Sequence, residues 1–114
     1  MKLVKAFIHH VRAASVVEAL ADAGFRNLAL HDVRGMLKPI TETERDFTAD
    51  ASGLVISEVR LSLVVEDQEV EAVTSIIRTV GRVGHHGHPC GYVYVSPVEQ
   101  MFVIGGDEPS SARP

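Results

Sequence analysis

The chain of 114 residues carries 11 Lys+Arg against 15 Asp+Glu, a formal net charge of −4, and is 46% hydrophobic and 23% charged. That length holds one compact domain, the composition is that of a globular rather than a disordered protein, and the acidic balance argues against nucleic-acid binding, which is built on clustered positive charge. No apolar run approaches the roughly 20 residues that cross a bilayer, Met1–Ile8 is too short and too alternating for a secretory signal, and the single cysteine, Cys90, excludes an intrachain disulfide, so a cytoplasmic protein not embedded in a membrane is expected.

Leu3 to Ile8 is a short apolar run that reads as a first strand, ending at His9-His10. These two histidines read as a solvated strand terminus. Adjacent strand residues face opposite ways, so at most one of them joins any shared site. From Ala13 to Ala23 the period changes: Val16, Val17, Leu20 and Ala21 fall at helical spacing, and Gly24 stands where a left-handed cap belongs. Asn27 to Val33 alternates as a second strand, with His31 on the sheet surface.

Gly35 to Leu54 breaks every period, with Pro39 and mixed charges. An irregular stretch near 20 residues in so small a domain is uncommon and points to function. Ile56 to Val65 restores alternation, with Val59, Leu61, Leu63 and Val65 on one side and Glu58, Arg60 and Ser62 on the other. Asp67 then reads as an N-cap with Glu69 and Glu71 in the first turn. Val70, Val73, Ile77 and Val80 form one apolar helical stripe, with Arg78 and Arg82 at the basic end. After the irregular Gly81–Gly91 segment, Tyr92 to Val95 is a fourth strand and Met101 to Ile104 a short fifth, and the tail from Gly105 reads as disordered. The order β-α-β, long loop, β-α-β predicts an α+β, ferredoxin-like βαββαβ sandwich: one antiparallel sheet with both helices on one face, and the other face left for water or a partner subunit.

Met1-Lys2-Leu3-Val4-Lys5-Ala6-Phe7-Ile8, the turn Val33-Arg34-Gly35, Val59–Val65 followed by Asp67, Ile76-Ile77-Arg78-Thr79, the Gly84-x-x-Gly87 step, Val93-x-Val95 and Pro97-Val98-Glu99 occur in order. Together they resemble the PII family of signal-transduction proteins, as a divergent PII-like member. The resemblance implies a homotrimer of domain 1–104 with clefts between neighbours, in which a T-loop at about 35–56 docks on a membrane transporter or other target. A B-loop at about 81–91 would wrap a nucleotide's phosphates, since glycine-rich backbone lets successive N–H groups approach an anion. Carried onto this chain, the nucleotide-contacting positions are Arg34, Gly35, Met36, Leu37, Lys38, Val64, Gly84, His85, His86, Gly87 and His88.

The chain departs from typical members in informative places. Met36-Leu37 replaces an aromatic and a glycine; Ala51 stands where the modified T-loop tyrosine would be; His88-Pro89-Cys90-Gly91 replaces an acidic and lysine step; and Phe102 and Val103 or their neighbours take the place of two basic residues. Losing cations that clamp a triphosphate removes charge-assisted hydrogen bonds of about 1.5–3 kcal/mol each. ATP with 2-oxoglutarate is therefore not expected; the resemblance to divergent members implies ADP or AMP in its place, with bicarbonate as co-ligand. Divergent members of this kind are associated with bicarbonate uptake and with heavy-metal efflux.

His85, His86, His88 and Cys90 cluster in six residues, and imidazole and thiolate suit zinc, copper and nickel. Their spacing matches no closed zinc-site template; a polar Gly/His turn is the plainer reading, and a transition-metal module associated with metal efflux is the alternative. No oxyanion-hole signature or paired carboxylate motif accompanies Cys90, so an enzyme is not expected.

Overall fold

The computed structural model describes residues 1–35, 56–84 and 90–106. In chain order the elements are β1 (Lys2–His9), α1 (His10–Asp22), β2 (Ala29–Gly35), β3 (Ile56–Val65), a 3-10 turn (Asp67–Glu69), α2 (Val70–Val80) and β4 (Gly91–Pro97). The four strands form one sheet in the order β2-β3-β1-β4, every neighbour antiparallel. Each β-α-β unit is thus split by a strand from the other, which is the ferredoxin-like arrangement.

Strand alternation decides which face is buried. Val4, Ala6 and Ile8 of β1 and Val59, Leu61, Leu63 and Val65 of β3 meet Val16 and Leu20 of α1 and Val73 and Ile77 of α2, each 6% exposed or less. Because paired residues in an antiparallel ladder share a face, the β1–β3 register places Leu3, Lys5, Phe7 and His9 with Val64, Ser62, Arg60 and Glu58 on the helix-free side. That division follows from the apolar pattern alone, since a slip of one residue would send Leu61 and Leu63 to the other face.

The ends of elements depart from the expected ones. Helix α1 begins at His10, three residues before Ala13, a start the sequence does not mark, since the first turn lacks the apolar period and His9 makes no side-chain cap. Arg12 on that turn donates from Nε to the Val80 carbonyl at 2.9 Å, tying the start of α1 to the end of α2. The other end behaves as Gly24 predicts. Gly24 has φ +96°, its N–H bonds the Ala21 carbonyl, and the Phe25 N–H bonds the Leu20 carbonyl, a Schellman closure.

Strand β2 starts later and runs further than Asn27–Val33, because Arg34 and Gly35 pair with Ser57 and Ile56. Asp67 is not the cap before α2. Glu66 caps the 3-10 turn that leads into α2, its N–H bonded to Glu69 Oε1 at 2.9 Å in a reciprocal box; the N-cap of α2 is Glu69, and Asp67 Oδ1 accepts from the Met1 amino group at 3.0 Å. The fifth strand is absent among the described residues: 101–106 is irregular, with Phe102 74% exposed and Ile104 fully so.

Candidate functional site

Two sets of residues expected at one nucleotide site lie at opposite ends of the sheet. At one end, where β2 begins and β3 finishes, an open groove of about 470 Å3 is lined by Asn27, Leu28, Ala29, Ser62, Leu63, Val64 and Met101. The chain leaves β4 at Pro97, the Val98 N–H bonds the Met1 carbonyl at 3.1 Å, and Met101 reaches the groove. Of the expected contacts only Val64 is here. Its neighbours in the groove carry no motif, since their juxtaposition is made by the Ala29–Ser62 pairing and by the crossing of the segment after β4. The apolar walls suit a flat ring, and Asn27 and Ser62 supply polar atoms.

At the other end, Gly35 closes β2 opposite Ile56, and Gly91 opens β4 opposite Ile8. Gly84 has φ +66°, a left-handed conformation that L side chains rarely adopt. Cys90 is half-buried, and its thiol donates to the Val83 carbonyl at 3.5 Å. An added Cβ at Gly91 would overlap the Phe7 carbonyl oxygen, so glycine is needed for β4 to lie against β1. The backbone of Arg34 and Gly35 is at this end. Met36, Leu37, Lys38, His85, His86, Gly87 and His88 fall outside the described residues. Among the described residues no three His, Cys, Asp or Glu side chains gather as a metal site, and three of the four candidate ligands lie outside that set.

From Ser62, level with the groove, to Ile56, level with Gly35, is about 20 Å of strand at 3.3–3.4 Å per residue. That exceeds the span between base and phosphates in one nucleotide. Between the two ends lies the helix-free face, where Phe7 and Tyr94 meet edge to face at 6.0 Å and Tyr92 stacks beside Tyr94 at 6.5 Å. Tyr92 is 53% and Tyr94 55% exposed.

His9 is not a solvated terminus: it is 2% exposed, opposite Glu58, which is 5% exposed. Sequence alternation puts Glu58 on the outward side and gives no sign of its burial. Burial raises its carboxyl above the ordinary 4.5.

The sequence matches the family described as Nitrogen regulatory protein P-II over residues 1–108. The chain belongs to the PII family. It is 32% identical over 104 residues to a Nitrogen regulatory protein P-II of Microchaete diplosiphon, covering 91% of each chain. It is 28% identical over 112 residues, 98% of each chain, to the protein of that name from Porphyra purpurea. A Nitrogen fixation nifHD region GlnB-like protein 1 of Methanothermobacter marburgensis is 32% identical over 106 residues, 91% of this chain and 93% of its own. PII proteins are regulatory signalling proteins, not enzymes; they bind adenine nucleotides, form trimers and act on partner proteins. No helix among the described residues of this PII protein is long and apolar enough to cross a membrane.

Proposed function

We propose that this chain is a cytoplasmic PII-type regulator whose subunits assemble as a homotrimer and bind ADP or AMP in the clefts between neighbours. The observation that carries the reading is the separation of the groove from the loop ends by the length of the sheet. One copy offers a place for the base at one end and for the phosphates at the other, so a complete site takes the groove of one subunit and the loop ends of the next. The exposed Tyr92 and Tyr94, clustered with the half-buried Phe7, support an assembly that covers the helix-free face.

In this reading Asn27, Leu28, Ala29, Val64 and Met101 hold the base. Arg34, Gly35, Met36, Leu37 and Lys38 of the T-loop, with Gly84, His85, His86, Gly87 and His88 of the B-loop, surround the phosphates. The signal is a change in the T-loop, 35–56, which docks on a transporter or other protein. A ligand bound about tenfold more tightly in one loop state shifts that equilibrium by about 1.4 kcal/mol. Bicarbonate is a second anion for the same loop ends.

Sedimentation equilibrium and calorimetric titration with ADP, AMP and ATP, each with and without bicarbonate, test the proposal. A trimer that binds ADP or AMP, more tightly with bicarbonate, is the expected result. A monomer, or a trimer that takes up no nucleotide, overturns it.

A further inference from the structure

Among the described residues one buried side-chain polar atom has no hydrogen-bond partner: Oε2 of Glu58. The residue is 95% buried in the helix-free face and paired across the β1–β3 ladder with His9, itself 2% exposed. Two titratable groups therefore face each other out of water at the end of the sheet where β2 stops and β4 starts. On β2 the residue opposite is Val33, with His31 two positions on; along β3 the next residue on this face is Arg60; along β1 it is Phe7 and then Lys5. His10 opens α1 beside them. Among the described residues Glu58 is thus the one anion placed on this face, among His9, His31, Arg60 and Lys5.

We propose that Glu58, set against His9, is a proton-binding site of the folded protein that makes anion binding at this end of the sheet pH-dependent. The ligand half of this inference rests on the nucleotide reading above. Glu58 lies two strand residues from the Ile56–Gly35 pair, about 7 Å, which is inside the screening length of about 8 Å at physiological salt. A phosphate chain held at the loop ends therefore repels the ionised carboxylate. Binding then draws one proton from the buffer onto a Glu58 carboxylate oxygen, converting –COO⁻ to –COOH, which can also donate where Oε2 now has no partner. Burial, which already holds this carboxyl above its ordinary range, acts in the same direction.

The test uses the full chain and Glu58→Gln, which keeps the shape and removes the charge. ADP is titrated at pH 6, 7 and 8 in buffers of different ionisation enthalpy. The ADP phosphate ionisation is common to both proteins, so the difference between them reports Glu58. The expected result is proton uptake by the wild type in excess of the variant, with affinity falling relative to the variant by up to about tenfold per pH unit. Equal proton uptake and parallel affinity profiles overturn the linkage. If neither protein binds ADP, the nucleotide reading falls, and the proton site is then judged by the 13C titration of the Glu58 carboxyl, assigned by its loss in Glu58→Gln. A midpoint well above the usual glutamate value of about 4.3 supports the site, and one at that value refutes it.

Discussion

Leu61→Ala is the sharpest test of the sheet register. Leu61 is fully buried at the centre of β3, paired with Ala6 on one side and Leu30 on the other. Truncation loses about 0.8 kcal/mol for each of the three carbons removed from the core, about 2.4 kcal/mol in all. The cavity left behind brings the expected cost to about 3–4 kcal/mol. The neighbouring Ser62→Ala lies on the helix-free face and should stay within about 0.5 kcal/mol. Urea unfolding at fixed protomer concentration reads both, since assembly makes stability depend on concentration. A one-residue slip of β3 would exchange the two side chains between faces and so exchange the two costs. A loss under about 1 kcal/mol for Leu61→Ala would refute the assignment.

Gly91→Ala drives a Cβ into the Phe7 carbonyl, with Phe7 C at 3.3 Å and Ile8 Cα at 3.5 Å; it should cost about 2–3 kcal/mol and lower amide-exchange protection across β1–β4, and unchanged protection would contradict that packing. Arg12→Met removes the donor to the Val80 carbonyl, and chemical denaturation should show a loss of about 1–2 kcal/mol. The Met1 amino group, then Lys2, hold the Asp67 carboxyl below its ordinary 3.8. The native state therefore binds fewer protons there than the unfolded one, and the stabilisation is present above pH 3.8 and lost as pH falls below it. Asp67→Asn should be less stable than wild type at pH 7 and converge with it in strong acid, and a gap that persists in acid would show that charge is not the cause. Glu58 has the opposite sign. Its raised carboxyl favours the protonated fold, so Glu58→Gln should gain stability relative to wild type as pH rises above 4.5 in thermal melts.

What the sequence made legible was whatever repeats with the period of an element. The alternation of Val59, Leu61, Leu63 and Val65 placed β3 to the residue, and Val16, Leu20, Val73 and Ile77 marked the buried stripes of both helices. Gly24 foretold its cap by its freedom to adopt positive φ. The ends of elements were less visible, because contacts there join distant positions, as Arg12 on the first turn of α1 bonds the Val80 carbonyl 68 positions away. Glu66 rather than Asp67 caps the 3-10 turn ahead of the second helix, and Asp67 is bonded to the Met1 amino group, again a contact between distant positions.

The candidate site divides in the same way. Val64 was reached through the family resemblance, while Asn27, Leu28, Ala29 and Met101 carry no motif and come together only through the β2–β3 register and the return of the segment after β4. Burial of His9 and Glu58 was hidden for a related reason: both alternate as outward-facing residues, and facing away from the helices did not mean facing water.

The central claim, a nucleotide site shared between subunits, is tested most directly by complementation. Ser62→Trp fills the groove and Arg34→Glu inverts charge at the T-loop base, so neither variant alone should bind ADP. Co-refolded in equal amounts, they should recover binding at about a quarter of the sites, those where an intact groove from one subunit meets intact loop ends from its neighbour. Recovery to that level is the result the account predicts. No recovery from mixed trimers would mean that both halves of the site belong to one chain, and would contradict it.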